Sequence, residues 1–249
     1  MKRNKFKSLS IVLIFSILLN IISYVPVKAL AEGKEDLIEE AIETTKGNIK
    51  SLSKYEDNDT LALNLLGENI DSNKINIYEY KSLKTYPKNI INLVAAGKNP
   101  EDYEGKNYVK EVLDGQTESG LFVVGNEQED LYPENMANAI IAMDMTKAEY
   151  NKVSAVKLLM SFAKQSEEGK SFDDNVVKTS LAIIALSLHK DVEGVNALIE
   201  ELKEYLKSEQ LYDGSFSINS LADDDSDSEG NAVATAMVIQ ALEIGRAHV

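Results

Sequence analysis

The densest cluster of chemistry-bearing side chains is the run Asp223-Asp224-Asp225-Ser226-Asp227-Ser228-Glu229. Its alternating Asp223, Asp225 and Asp227 could offer carboxylate oxygens to calcium. An EF-hand loop counted from Asp223 needs Gly at 228 and an acid at 234, where Ser228 and Ala234 stand. The default reading is therefore a solvated loop, with calcium as the alternative cofactor. His189 is the next candidate. It lies near the end of an apolar helical stretch beside Lys190, where the helix dipole favours a basic side chain over a catalytic role. With His248 set aside in a suspect tail, a single histidine excludes triads with more than one histidine and most zinc sites. The absence of Cys excludes thiolate metal sites, thioesters, cysteine nucleophiles and any disulfide framework.

Both ends of the chain carry signals unrelated to the fold. Lys2, Arg3, Lys5 and Lys7 precede an apolar run from Ile11 to Leu19, and Ala29-Leu30-Ala31 follows. This is the pattern of a secretory signal peptide, residues 1–31, cleaved after Ala31. Asn20 and Pro26 interrupt the run, against an uncleaved membrane anchor. At the other end, residues 244–249 (Ile-Gly-Arg-Ala-His-Val) resemble the translation of a common sequencing adapter and read as an artefactual tail. Taking away the five basic residues before Ala31 and Arg246 leaves 20 basic groups against 41 acids, a net charge near −21. Such a surface repels phosphate backbones, so no nucleic-acid partner is expected. The expected location is secreted, extracellular or cell-wall associated, with no stable membrane span once the signal is removed.

Within residues 32–243 a short element recurs. Gln116-x3-Gly120-x-Phe122, Gln165-x3-Gly169-x2-Phe172 and Gln210-x3-Gly214-x-Phe216 are spaced 49 and 45 residues apart. An amphipathic helical stretch leads into each. In the third unit Val195, Leu198, Ile199, Leu202 and Leu206 form one apolar stripe opposite Glu200, Glu201, Lys203, Glu204 and Lys207. Val156, Leu159, Phe162 and Ala163 do the same in the second. Each element is followed by a helix that is apolar nearly all round: 138–143, 181–186 and 237–242. Such a helix is buried on every side. Residues 90–97, closed by Gly97, form a further inner helix, and residues 60–67, closed by Gly67, a fifth candidate. No segment alternates with period two for long, so strands are absent or minor.

The Gln-Gly-Phe element resembles the QW motif of the squalene and oxidosqualene cyclases, with Phe in place of Trp. The helix pairs are similar to the wider prenyltransferase and squalene-cyclase repeat. The resemblance covers roughly residues 36–243 and implies an all-α chain folded as an α/α toroid of helix hairpins. It also implies that Gln and Gly pack on the aromatic ring and tie an outer helix to an inner one. An unrelated α-solenoid is the alternative fold.

The resemblance also fixes which chemistry to look for. Cyclases that protonate an isoprenoid carry Asp-x-Asp-Asp-Thr-Ala at the start of an inner helix, the middle Asp being the proton donor. The matching residues here are Asn175-Val176-Val177-Lys178-Thr179-Ser180: the Thr-Ser end is kept and the acids are gone. Thr235-Ala236 matches the same end in the next unit, again without an acid in front. The zinc ligands of the protein prenyltransferases include a Cys that this chain lacks. The expectation is a non-catalytic toroid that binds a ligand or mediates adhesion. Its partner would be a small molecule, a glycan or a surface protein, with cobalamin-type capture one form of it. A terpene cyclase-like enzyme is the alternative. In the family the loops entering the inner helices line the ring's mouth, which nominates Tyr86, Tyr132, Asn135, Asp174, Asn175, Lys178, Glu229 and Asn231 as ligand contacts. Helix capping or solvation is the competing role for each, and Asp174 and Asn175 before Val176 suit N-caps. The ten tyrosines after Ala31 could form sugar platforms, although Tyr205 sits in an amphipathic helix where packing explains it. A closed toroid of this family has about six inner helices, so the chain is expected to be a fragment.

Overall fold

The computed structural model describes residues 34–125, 132–167, 169–218 and 230–246. The signal-like segment 1–31, the run holding Asp223, Asp225 and Asp227, and Glu229 lie outside the described residues. Helices take 54% of the described residues, so the class is all-α. In chain order they are α1 (Lys34–Ser51), α2 (Asp57–Leu65), α3 (Tyr86–Ala95), α4 (Tyr108–Leu113), α5 (Pro133–Thr146) and α6 (Lys152–Ser161). The strands β1 (Lys164–Ser166) and β2 (Gly169–Ser171) follow, then α7 (Val176–Ser187), α8 (Val195–Ser208) and α9 (Ala232–Arg246). Among the described residues the two three-residue strands are the whole of the regular sheet. Also among them, no helix is long and apolar enough to cross a membrane.

The helix boundaries follow from local chemistry. Pro87 and Pro133 open α3 and α5, where a missing N–H costs nothing. Gly67 and Gly97, at φ +72° and +68°, close α2 and α3. Past each glycine the chain bonds back into the helix, Glu68 N–H to the Leu63 carbonyl at 2.9 Å and Lys98 N–H to Leu93 at 2.8 Å. Ile244 lies within the last turns of α9 and is 7% exposed, so the helix runs through the start of the expected tail.

The chain divides into two compact units. One comprises the described residues of Ser53–Ala163 and Leu188–Leu198. Here α3 packs against α2, α4 and α5, and α5 against α6. Its core includes Leu63, Ile90, Leu93, Phe122, Met136, Ile140 and Leu159, all fully buried. Two asparagines sit inside that core. Asn89 pairs with both the N–H and the carbonyl of Tyr78 at 2.9 Å, and Asn92 Nδ2 donates to the Asn76 carbonyl at 2.8 Å. They pin the irregular segment before α3 to the helix, because a buried backbone group without a partner is expensive.

The other unit comprises the described residues of Met1–Leu52, Lys164–Ser187 and Ile199–Val249. Its centre is the packing of α7 on α9, both read as inner helices. Phe172, Val176, Ile183, Leu186, Leu202, Leu206 and Val238 form the buried interior.

Candidate functional site: the glycine hairpins and inner-helix starts

Each Gln-Gly-Phe element is a tight hairpin. Gln116 pairs with Phe122 and Gln210 with Phe216 across isolated antiparallel bridges. In both, the residue after Gln donates across the turn: Thr117 N–H to the Leu121 carbonyl, and Leu211 N–H to the Ser215 carbonyl. The glycine closes the turn at φ +92° or +85°, a conformation that carries no penalty for Gly alone. The second hairpin has one residue more between Gly169 and Phe172. Gln165 therefore faces Lys170 in the β1–β2 ladder, and Phe172 falls just beyond it.

All three phenylalanines are buried, Phe122 and Phe172 completely and Phe216 to 4%. The main chain of two of them is tied to an inner helix. Phe172 N–H donates to Thr179 Oγ1 at 3.0 Å, and Phe216 N–H to Thr235 Oγ1 at 2.9 Å. These threonines stand where the expected resemblance puts the Thr of the cyclase motif, and here their hydroxyls anchor the phenylalanine backbone. Met136 stands at the same distance past the cap of α5, which explains why that repeat lacks the bond.

The glutamines behave differently from the resemblance. Gln116 reaches outward to the backbone of Asn151, the cap of α6: Asn151 N–H donates to Gln116 Oε1 at 2.7 Å, and Gln116 Nε2 donates to the Asn151 carbonyl at 3.3 Å. Gln165 and Gln210 instead turn inward, onto the carbonyls of Gly169 and Gly214 at 2.7 and 3.0 Å. The glycines make the closer approach. A Cβ on Gly120 would lie 2.3 Å from the Ser154 carbonyl carbon of α6, and one on Gly169 would lie 2.4 Å from the Glu201 oxygen of α8.

The expected ligand contacts separate into distinct roles. Asn175 and Asn231 are N-caps, their side-chain oxygens taking Lys178 N–H at 2.9 Å and Ala234 N–H at 3.0 Å. Tyr132 occupies the same position before α5 and is 52% exposed. Tyr86 and Asn135 do not line a surface. Both lie inside first helical turns, at 3% and 5% exposure, and Tyr86 stacks edge-on against Tyr108 with centroids 5.0 Å apart. Their helices begin earlier than the apolar runs suggest, because Pro87 and Pro133 start them. Asp174 does not cap α7; Ser171 Oγ donates to its carboxylate at 2.6 Å. Lys178 pairs with Asp173 at 3.1 Å.

Asp173 and Asp174 are consecutive residues in the left-handed region, at φ +55° and +46°. Aspartate enters this region more readily than most, still at a cost. Lys164 and Lys178 hold the Asp173 carboxylate from two sides, and the hydrogen bond from Lys164 depresses its pKa most. A carboxyl with a depressed folded pKa adds stability above its unfolded pKa of about 3.9 and loses it as pH falls through the lower folded value. Asp173→Asn should therefore flatten the acid limb of the stability curve below about pH 4. Chemical denaturation across pH measures this, and an unchanged acid limb would contradict it.

One cluster escapes sequence reading. His189 stands just past the C-terminal end of α7, where the apolar stretch places it. It is 1% exposed and has Nε2 2.8 Å from Asp144 Oδ2. Tyr150 donates to the other Asp144 oxygen at 3.1 Å. Burial, then the charge of Asp144 and this hydrogen bond, hold the Tyr150 hydroxyl protonated far above the usual tyrosine range. A lone histidine in an apolar stretch was the available signal, but its partner is 45 residues away. Asp144→Ala should lower stability by about 1–3 kcal/mol by leaving His189 buried without this partner. A urea midpoint unchanged in the variant would count against the pairing.

Searches against protein-family models and against curated proteins match nothing.

Proposed function

We propose that this chain is a secreted or cell-surface, non-catalytic binding module built from helix-hairpin repeats of the α/α-toroid kind. The carrying observation is the use made of the cyclase-like positions. Where that motif places acids, Asn175 and Asn231 cap α7 and α9, and Thr179 and Thr235 hold the backbone of the buried phenylalanines. Asp174, the nearest acid, bonds to Ser171, and Asp173 is neutralised by two lysines. Those residues organise a hairpin and a helix start, which supports the non-catalytic reading. The exposed side chains nearest these starts, Tyr132 beside α5 and Lys164 beside α7, are the contacts we assign to a ligand in their respective units.

The ligand classes that suit the reading are a corrinoid-type small molecule or a wall glycan, both recognised through rings and hydrogen bonds without chemistry. A thermal-shift series on the intact chain with cobalamin and with soluble wall saccharides tests it. A saturable rise in melting temperature that Tyr132→Ala or Lys164→Ala reduces is expected. No shift with either class would remove ligand capture and leave a purely structural repeat. Export is part of the same reading: N-terminal sequencing of secreted material should begin at Glu32, and cytoplasmic protein retaining Met1 would contradict it.

A further inference from the structure

The connection from α7 to α8, residues 188–194, belongs to the compact unit that also holds Ser53–Ala163. Leu188, Asp191, Glu193 and Gly194 are exposed and Lys190 is half-buried, which leaves His189 and Val192 as its buried residues. Its backbone hydrogen bonds close on itself and on the start of α8. Val192 N–H donates to the His189 carbonyl at 3.0 Å, and Val195 N–H to the Val192 carbonyl at 3.2 Å. Asn196 Nδ2 donates to the Lys190 carbonyl at 3.2 Å. Where Gly194 approaches α6, the nearest atom to a built Cβ is the flexible end of Met160, at 3.1 Å.

Lifting this connection away would break none of those hydrogen bonds. It would break the contacts of His189 Nε2 with Asp144 Oδ2 at 2.8 Å and with the Tyr150 hydroxyl at 3.4 Å. His189 Nδ1 is buried and has no hydrogen-bond partner among the described residues, so the ring is fastened through one nitrogen. The receiving side is built into the core. Asp144 lies in α5, its other oxygen takes the Tyr150 hydroxyl, and the Tyr150 ring packs on the buried Phe122 with centroids 5.9 Å apart. A segment with few buried side chains and self-contained hydrogen bonds opens at a lower cost than the core on which it sits.

We infer that residues 188–194 form a strap that opens as a unit while the core beneath it stays folded, with the His189–Asp144–Tyr150 cluster as its latch. Opening frees the Asp144 carboxylate and the Tyr150 hydroxyl, which the closed strap pairs with His189. Gly194, at φ +87°, is the joint between the strap and α8. The latch forms only in the closed state, so its strength sets how often the strap lifts. The inference stands on the geometry of this cluster and is independent of the ligand reading above.

Native-state hydrogen exchange of the intact chain, followed through a series of low urea concentrations, tests this. In the wild type the Val192 and Val195 amides should be protected, yet exchange faster than the amides of α3 and with a much shallower urea dependence, because a small opening exposes little surface. Two variants then separate the strap from the core. Asp144→Ala weakens the closed state and should speed strap exchange by about tenfold or more. Ile90→Val loosens the core under α3, away from the latch, and should speed α3 exchange by about threefold to tenfold while leaving the strap unchanged. Should Asp144→Ala fail to fold, Tyr150→Phe removes one hydrogen bond of the latch and should speed strap exchange by about threefold. Strap amides that are unprotected in the wild type, that share the rate and urea dependence of α3, or that quicken with Ile90→Val as α3 does would overturn the inference. So would strap exchange unmoved by the latch variant.

Discussion

Phe172→Ala and Phe216→Ala should each lower stability by roughly 3–5 kcal/mol, the range for truncating a buried phenylalanine. Phe172 is fully buried and Phe216 nearly so, and each is fixed at both ends of its backbone. Truncation removes the ring that fills the space between a hairpin and an inner helix. The remaining hydrogen bond to Thr179 or Thr235 keeps the hairpin from collapsing into the cavity, so relief by relaxation is small. Thr179→Val isolates that contribution. It keeps the volume and leaves the buried Phe172 N–H without an acceptor, at about 1–3 kcal/mol. Urea unfolding of the intact chain measures all three. A loss below about 1 kcal/mol for the phenylalanines would mean exposed rings and would remove the repeat reading.

Two glycine substitutions carry the second large effect. Gly120→Val and Gly169→Val combine a left-handed backbone, about 1–2 kcal/mol for a residue with a Cβ, with overpacking of a helix backbone, typically a further 1–3 kcal/mol. The clash is with main chain at 2.3–2.4 Å, which has no rotamer to move away. A loss on the order of 3 kcal/mol or more is expected. Gly214→Ala meets only a flexible glutamine, so it should show the conformational term alone, about 1–2 kcal/mol. The contrast between the positions is the informative quantity. Equal losses at Gly120 and Gly214 would show that turn conformation and not helix docking sets the requirement.

What the sequence made legible is what repeats or punctuates. Three Gln-Gly-Phe elements, Gly67 and Gly97 as helix ends, and the all-round apolar inner helices are local signals, and local chemistry produces them. The roles of individual side chains at the inner-helix starts were less legible, because Asn175 as ligand and Asn175 as cap look identical in one dimension. Tyr86 and Asn135 were placed at a mouth only because the apolar runs begin after the helices do. Asn89 and Asn92 are polar residues on a buried helix whose partners lie in an irregular segment, a pairing no periodicity encodes. Asp144 and His189 join across 45 residues through tertiary packing alone. The Thr179 and Thr235 hydroxyls were visible where the resemblance puts the Thr of a motif. Their use as anchors for Phe172 and Phe216 becomes clear only when the hairpin is seen folded against the helix.

The most direct test of binding without catalysis is a single incubation of the intact chain with squalene and with long-chain prenyl diphosphates, followed by mass spectrometry of everything recovered. The account predicts that each isoprenoid is returned unchanged, relative to a protein-free control, by the wild type and by Asp174→Ala alike. A cyclised or transferred product that disappears in Asp174→Ala would contradict it and make Asp174 an acid catalyst.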